Sequence, residues 1–373
     1  MAGLALLLAV PAGLSSAQSV PAEALQAALE DVVASPDTVF QGAVLAVKIG
    51  DQPLWAGAAG VADLDTRALL TPDARFRVGS IAKPFLATVV LQLAEEGALS
   101  LDDPMTALLP TSVTDRFDAA DRTTVRMLLN HTSGIPEWID DQVTATIAAN
   151  PTKIWDATEF LDLAAAKPQA FDPGTDWAYS NTDYNLLGLI IEHATGNPWR
   201  DEVTTRILVP LNLTDTSLPR PGNTGIDEPY MRGYGVINGA IVDLTHIDPS
   251  MAGAAGGGAL VTTTTDLTTF LDALLAGTLF RDPATLDAMT TFVDATYEGG
   301  MTGYGLGLQR YVLPDGTTAI GHSGGTAGYL SFLGYFPDLD LTMALSVDAE
   351  VDPTPVILAA LRVLAPPPAA NAN

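Results

Sequence analysis

The spacing of hydrophobic residues changes along the chain, from short mixed segments at the beginning to helical spacing in the middle and alternation at the end. Apolar residues at helical spacing over Ala22 to Val33 predict a first helix. Alternating stretches over Phe40 to Ile49 and Pro53 to Val61 predict two strands, and Gly50-Asp51 between them predicts a hairpin turn. The chain is therefore expected to begin with a helix followed by a β-hairpin.

Helical spacing dominates the middle of the chain. A long helix is predicted over Ser80 to Glu96, with Ser80 as its N-cap, Pro84 in its first turn and Gly97 as its stop signal. The further helices predicted in this part are Thr123–Leu129, Ala157–Ala166, Tyr184–Thr195 and Asp266–Leu275.

Towards the end the spacing returns to a period of two. The predicted strands are Tyr304–Val312, Tyr329–Phe336 and Leu341–Val347, followed by a closing helix over Pro353–Leu364. Strands at both ends with helices between them predict an α/β (α+β) fold. We expect a mixed, mainly antiparallel sheet built from both termini and flanked by helices, a mostly helical inserted domain, and a cleft where the two parts meet.

The expected organisation is one catalytic unit over residues 18–365, with an α/β part of about 20–79 plus 280–365 and a helical part of about 80–279. The apolar run Leu4 to Val10 and the small residues Ser15-Ser16-Ala17 predict an export signal over residues 1–17 and a periplasmic or extracellular location. No Lys or Arg precedes the run, so a merely hydrophobic N-terminus is the alternative. Residues 366–373, in an Ala/Pro-rich stretch, are expected to form a disordered tail.

Composition excludes several classes of partner and site. The formal charge of −27, from 44 acidic and 17 basic residues, repels nucleic acids and anionic membranes. No stretch is long and apolar enough to predict a membrane span, so no integral membrane contact is expected. The lack of cysteine excludes disulfides, thiolate zinc sites and cysteine nucleophiles. Four scattered histidines also argue against a metal cluster, and no cofactor is expected.

The first segment with catalytic potential is Ser80-Ile81-Ala82-Lys83, at the start of the long predicted helix. Residues three apart share a helix face, so the Lys83 ammonium can reach the Ser80 hydroxyl. Serine becomes a good nucleophile when a neighbouring base takes its proton, and a lysine of lowered pKa can act as that base. The bland alternative is an N-cap serine followed by a surface lysine. It is weakened because the chain has only four lysines, and Lys83 begins an apolar segment.

A second segment, Tyr179-Ser180-Asn181, lies between a predicted turn and a helix beginning near Asp183. A phenol beside an ammonium ion can ionise at lower pH and act as a general base. The Asn181 amide can hold both Lys83 and a substrate carbonyl. A loop tyrosine with an asparagine cap is the structural alternative.

The third segment is His322-Ser323-Gly324-Gly325, expected between two strands. Its glycines allow close approach of a ligand, and a backbone N–H there can complete an oxyanion hole. Residues 321–325 also match the Gly-x-Ser-x-Gly nucleophile elbow. An elbow requires a following helix and a later histidine, and neither is expected after His322, so this interpretation is rejected.

Together the three segments make the chain resemble the penicillin-recognising serine hydrolases, which include class C β-lactamases, D-alanyl-D-alanine carboxypeptidases, D-aminopeptidases and related esterases. The pattern of that family is Ser-x-x-Lys, then Tyr-x-Asn, then a Lys/His-x-Gly strand. The resemblance runs from about Phe40 to Leu364. It includes the connecting stretches Phe76-Arg77-Val78-Gly79-Ser80, Thr124-Val125-Arg126 to Ser133-Gly134, Tyr184-Asn185-Leu186-Leu187-Gly188 and Gly305-Leu306-Gly307-Leu308.

The resemblance implies an acyl-enzyme on Ser80, proton relay by Lys83 and Tyr179, and substrate orientation by Asn181. It also implies an oxyanion hole made by the amides of Ser80 and Gly325, substrate contacts by the segment from His322 to Gly325, and a structural role for His131. A small-molecule or peptide substrate is expected: a D-Ala peptide, a β-lactam or an ester.

Two positions depart from the family's β-lactamase and carboxypeptidase patterns. His322 stands where β-lactamases usually carry lysine and resembles the carboxypeptidase branch. If its protonated form holds a substrate carboxylate, this binding should weaken as pH rises through roughly 6 to 8. The alternative is a neutral imidazole that only fills a hydrogen-bonding position in the strand. That branch places an arginine after Gly-Leu-Gly-Leu, whereas this chain has Gln309 and then Arg310, which alternation turns away from the cleft. The expected function is a D-alanyl-D-alanine carboxypeptidase- or class C β-lactamase-like hydrolase. An esterase and a slow-turnover penicillin-binding sensor are the alternatives.

Overall fold

The computed structural model describes residues 20–237, 239–251, 253–255 and 260–364. The predicted export signal and the predicted tail therefore lie outside the described residues. The helices are α1 (Ala22–Ala34), α2 (Ala82–Glu95), α3 (Met105–Leu108), α4 (Thr111–Thr114), α5 (Val125–Leu129), α6 (Asp141–Ala149), α7 (Ala157–Ala165), α8 (Asn181–Thr195), α9 (Trp199–Val203), α10 (Thr264–Leu275), α11 (Pro283–Met289) and α12 (Thr354–Leu364).

The strands follow the same chain order. They are β1 (Gly42–Ile49), β2 (Trp55–Gly60), β3 (Phe76–Arg77), β4 (Tyr234–Ile237), β5 (Ala240–Asp243), β6 (Val261–Thr262), β7 (Val293–Tyr297), β8 (Met301–Tyr304), β9 (Gln309–Val312), β10 (Thr318–Thr326), β11 (Tyr329–Phe336) and β12 (Leu341–Val347).

An eight-stranded sheet joins the two ends of the chain. Its order is β2-β1-β12-β11-β10-β9-β8-β7, so the first hairpin pairs with the last strand, with Ala43 opposite Val347. Each described pairing in this sheet is antiparallel, so the expected fold class is confirmed, although the sheet is antiparallel rather than mixed. Helices α1 and α12 pack together on one face of the sheet, and α10 packs on the other. All seven residues of β12 are buried as a result.

Helix α2 is the centre of the helical part of the molecule. It packs against α8, and the Phe85 ring stacks on Phe270 of α10 with 3.6 Å between ring centroids. Eleven of its residues, including Lys83, are buried. Because apolar residues surround this helix, it is a core element, and any charged side chain within it is removed from water. Within the described residues, no helix is long and apolar enough to cross a membrane.

Several predicted boundaries agree closely with the structure. The hairpin, β11, β12 and the closing helix lie where the spacing placed them. The predicted strand Tyr304–Val312 is wrong, because it is two strands, β8 and β9, joined by a tight connection. In this connection the Gly305 N–H donates to the Leu308 carbonyl at 2.7 Å, and Gly307 has φ +89°. The alternating Gly-Leu-Gly-Leu sequence has the spacing typical of a strand, but it lies in the turn where the chain reverses.

Candidate active site

Ser80 lies on a tight turn immediately before α2. Residues Gly79–Ile81 form a single 3₁₀ turn, and Ser80 makes no side-chain cap to the helix, so the prediction that Ser80 is its N-cap is wrong. Gly79 has φ +60°, and a Cβ there would lie 2.5 Å from the Gly325 carbonyl oxygen. This position therefore requires glycine for both conformation and space. The turn holds the Ser80 hydroxyl at the cavity surface instead of folding it back on the helix.

Lys83 lies one turn further along and is fully buried. Its Nζ is 3.0 Å from Ser80 Oγ and 2.7 Å from Asn181 Oδ1. Burial lowers the Lys83 pKa to about 7, although the nearby Glu137 carboxylate acts in the opposite direction. A substantial fraction of this lysine is consequently neutral at neutral pH, with a lone pair that can accept a proton.

Tyr179 forms the wall beside Lys83, whose Nζ lies 4.9 Å from its ring centroid. Although the side chain keeps some exposure to the cavity, burial raises the pKa of its phenol well above the ordinary value, and a hydrogen bond with Ser80 only partly opposes this. The expectation that a neighbouring ammonium would help Tyr179 to ionise is therefore wrong. The phenol keeps its proton and is suited to donate it.

Asn181 is the first residue of α8, two positions earlier than the predicted helix start. Its Oδ1 accepts from Lys83, while its Nδ2 and backbone N–H both donate to Glu137 Oε2, at 2.9 and 2.7 Å. Sequence reasoning missed Glu137. Its signal is weak, since it is one acid in a loop and its contact spans 44 residues of chain.

Strand β10 brings the third predicted segment to Ser80. The segment lies within this strand rather than between two strands. Strand β9 pairs with β10 only as far as Gly321, so the following residues are free on that side to lie against the Ser80 turn. A Cβ on Gly324 would lie 2.0 Å from the Val78 carbonyl oxygen and 3.0 Å from the Ser80 nitrogen. Glycine at 324 therefore allows strand and turn to touch.

His322 is buried behind the cavity wall. Its Nδ1 lies 2.5 Å from the Ser323 carbonyl oxygen and its Nε2 lies 2.9 Å from Tyr304 Oη. Since the carbonyl can only accept, Nδ1 carries the proton and Nε2 accepts from the tyrosine. Burial, followed by the nearby Lys83 charge, lowers the His322 pKa to about 3. The hypothesis that a protonated His322 holds a substrate carboxylate is wrong, and the imidazole is a neutral structural element.

Another buried histidine, His131, supports the floor of the site. Its ring lies against that of Tyr179, with 4.5 Å between centroids. Its Nδ1 accepts from the Ser180 N–H at 3.3 Å and lies 3.1 Å from Asp183 Oδ2. Burial raises the pKa of the Asp183 carboxyl well above its ordinary value, which favours its protonated form. The role is structural, as the resemblance implied.

A cavity of about 560 Å³ opens in front of these residues. Ser80, Tyr179, Asn181, Ser323 and Gly325 line it, whereas His322 and Gly324 are not among the residues described around it. Apolar and aromatic side chains form much of its wall: Tyr297, Tyr311, Leu313, Leu330, Phe332, Val351, Pro353 and Ile357. The ring of Tyr297 stacks on the ring of Tyr179.

The charge of this wall is acidic. Glu350 and Asp352 line the cavity, and none of the residues described around it is Lys, Arg or His. Gln309 also lines it and accepts from the Ser323 backbone N–H at 2.8 Å. Arg310 is turned away, as strand alternation predicted, and donates from Nη2 to the Thr302 carbonyl oxygen at 3.0 Å. A substrate carboxylate would thus find acids but no basic side chain on the described wall.

Within the described ranges, no cluster of three or more His, Asp or Glu side chains could hold a metal ion.

The chain is similar to known proteins in both sequence and structure. Residues 24–365 match the Beta-lactamase family. A solved structure of a D-stereospecific amidohydrolase from Streptomyces sp. is 36% identical, with a TM-score of 0.80 and coverage of 91% of this chain and 98% of that one. Penicillin-binding protein 4 of Amycolatopsis lactamdurans is 30% identical over 83% of this chain and 81% of its own length. Esterase EstB of Burkholderia gladioli is 28% identical over 89% of this chain and 91% of its own length.

Proposed function

The chain belongs to the beta-lactamase family of serine hydrolases, and from this premise we propose that it hydrolyses amides and esters of apolar D-amino acids through an acyl-enzyme on Ser80. The observation that carries the substrate class is the cavity wall, which combines apolar side chains with Glu350 and Asp352. Acids beside an apolar surface suit a substrate with a free ammonium group and an apolar side chain. Similarity to the D-stereospecific amidohydrolase supports the D configuration and the amide bond.

The proposed reaction begins with neutral Lys83. Its Nζ takes the proton of Ser80 Oγ, which lies 3.0 Å away, as that oxygen forms a bond to the substrate carbonyl carbon. The backbone N–H groups of Ser80 and Gly325 stabilise the resulting oxyanion. Tyr179, which retains its proton, donates to the leaving nitrogen or oxygen as the bond to carbon breaks, and is reprotonated by the Lys83 ammonium. In the second half of the reaction, the oxygen of a water molecule bonds to the acyl carbon while its proton passes through Tyr179 to Lys83. The bond from the carbon to Ser80 Oγ then breaks, Lys83 returns the proton to that oxygen, and the acid is released.

Substrates with a terminal carboxylate fit this wall less well. D-Ala-D-Ala peptides and β-lactams both carry one, and it would approach Glu350 and Asp352 with no basic side chain among the described lining residues. We therefore propose that the protein has only weak carboxypeptidase and β-lactamase activities. The predicted export signal supports the further proposal that the enzyme acts outside the cytoplasm.

A simple esterase is the second candidate. Similarity to EstB over 89% of the chain favours it, and so does an apolar wall that needs no ammonium group to be filled. This candidate differs from the first in one property: an esterase would not require the substrate amine.

Turnover of matched substrates, followed by intact-protein mass spectrometry, tests the proposal. D-phenylalanine amide is expected to be hydrolysed well, its L-enantiomer and its N-acetyl derivative poorly, and penicillin and a D-Ala-D-Ala peptide least of all. Rapid turnover of p-nitrophenyl acetate without amide hydrolysis would establish the esterase instead. A long-lived penicillin adduct would establish a penicillin-binding sensor, and rapid loss of penicillin a β-lactamase.

A further inference from the structure

Glu137 stands behind the proposed catalytic groups, outside the described cavity wall. We propose that Glu137 is a positioning residue that fixes the orientation of the Asn181 amide and thereby keeps the Lys83 lone pair available to Ser80. The inference rests on the proposed acyl-enzyme mechanism.

The orientation of Asn181 follows from the chemistry of its partners. A carboxylate can only accept hydrogen bonds, so Glu137 Oε2, 2.9 Å from the side-chain amide, must face its Nδ2. The opposite atom of the amide, Oδ1, is then the one that lies 2.7 Å from Lys83 Nζ. The backbone N–H of Asn181 donates to the same carboxylate oxygen at 2.7 Å, which fixes this arrangement at the first residue of α8.

This orientation decides what the neutral lysine can do. A neutral amine has two N–H donors and one lone pair. With Oδ1 facing it, Lys83 donates one N–H to Asn181 and leaves its lone pair to the Ser80 hydroxyl at 3.0 Å. A flipped amide would present Nδ2, a donor, and would occupy the lone pair instead. Ser80 would then lose its proton acceptor although each of the three catalytic side chains remained present.

Glu137 itself is held rigidly. Its second carboxylate oxygen, Oε1, accepts from the Ile139 N–H at 2.9 Å, and its backbone carbonyl accepts from Lys167 Nζ at 2.8 Å. The preceding carbonyl, of Pro136, accepts from Thr182 Oγ1 of α8 at 2.6 Å. The loop and the helix that carry Glu137 and Asn181 are thus tied together next to the carboxylate.

The charge of Glu137 gives a readout that a merely structural residue would not. The Glu137 charge is the strongest influence that raises the Lys83 pKa against the effect of burial. The other titratable groups around this lysine favour their neutral forms, because burial raises the pKa of two tyrosines and an aspartate and lowers that of two histidines: Tyr179, Tyr184, Asp183, His131 and His322. Removing the Glu137 charge should therefore lower the Lys83 pKa further.

The test is the pH profile of kcat/KM for a neutral p-nitrophenyl ester with the variant Glu137→Gln. We expect a loss of about ten- to a hundredfold, below the roughly 10²–10⁴-fold cost of removing a positioned base. We also expect the rising limb to move to lower pH, with KM little changed. Glu137→Asp keeps the charge and should keep the limb in place, even where the shorter side chain slows the reaction.

Asp140→Asn is the matched control, because it neutralises an acid in the same segment that pairs with Lys167 at 3.1 Å. It should leave both rate and limb unchanged. A Glu137→Gln enzyme with an unaltered limb overturns the inference, and so does a loss confined to substrates that carry an ammonium group, which would make Glu137 a direct substrate contact. If Ser80→Ala still forms the acyl adduct, the proposed mechanism is wrong. If Ser80→Ala forms no adduct but the pH limb of Glu137→Gln is unaltered, only the inference about Glu137 is wrong.

Discussion

Ser80 and Ser323 are two of the serines that line the cavity, and their surroundings differ in one decisive respect. Ser80 Oγ lies 3.0 Å from Lys83 Nζ, whereas Ser323 Oγ donates to Gln309 Oε1 at 3.2 Å. An amide oxygen accepts a hydrogen bond but cannot take the proton at any accessible pH, while an amine with a pKa of about 7 can. The comparison teaches that a serine becomes a nucleophile through its neighbour. Ser323 has the better-known sequence pattern, but Ser80 has the base.

The strongest test of this comparison is Ser80→Ala. Loss of a nucleophile removes on the order of 10⁶ in kcat in serine hydrolases. We expect no covalent adduct by intact-protein mass spectrometry after mixing with a p-nitrophenyl ester, with the fold preserved in circular dichroism. Ser323→Ala should still form the adduct. The reverse result would make Ser323 the nucleophile.

The next largest effect concerns the base and its partner. Lys83→Ala and Tyr179→Phe should each lower kcat/KM by roughly 10²–10⁴-fold, the usual contribution of a positioned acid or base. Groups that act as one unit give non-additive losses, so the double variant should be about as slow as the slower single variant. Fully additive losses across the four enzymes would show that the two side chains act independently.

A smaller effect is expected from a change of pH, and it distinguishes titration of Lys83 from titration of the buried His322 imidazole. Activity should rise with pH through about 7 as Lys83 loses its proton, and fall by roughly tenfold per pH unit below that limb. Because the His322 pKa is lowered to about 3, substrates with and without a carboxylate should share this limb in kcat/KM profiles. Profiles that diverge between pH 6 and 8 would show that His322 is protonated and charged in this range.

The smallest effect is expected at Ser323 itself. Ser323→Ala removes the hydroxyl from a hydrogen bond to Gln309, and the net loss should be about 0.5–1.5 kcal/mol in the free energy of unfolding, measured with urea. The rate should fall by no more than about tenfold, since one uncharged hydrogen bond of this size is lost. A loss as large as that of Lys83→Ala would show that Ser323 takes part in proton transfer.

Much of the fold could be predicted because hydrophobic spacing reports directly on burial. Strands β11 and β12 and the closing helix follow it closely, since their neighbours on the sheet bury alternate or successive residues. The Ser80, Lys83 and Asn181 side chains also meet as expected. Here the 3₁₀ turn and the start of α2 bring Ser80 and Lys83 together, and the order of the three segments along the chain limits how Asn181 can be placed beside them.

The features of the site that could not be predicted from the sequence depend on contacts between segments that are distant along the chain. The pKa directions of Tyr179 and His322 are set by how deeply each group is buried, and this is decided by packing rather than by chain neighbours. Glu137 acts through residues far along the chain, and the acids of the cavity wall follow β12. No local pattern marks these residues as members of the site.

The pairing of β1 with β12 has a consequence for the order in which the molecule can form. The Gln41 N–H donates to Asp348 Oδ1 across 307 residues, so the sheet closes only when both ends of the chain are available. Non-local pairing of this kind slows folding, because a large loop must close before the contact is gained. Ser80 and Lys83 are synthesised early, but strand β10, which completes their surroundings, is synthesised late. A growing chain therefore carries its nucleophile long before it can use it.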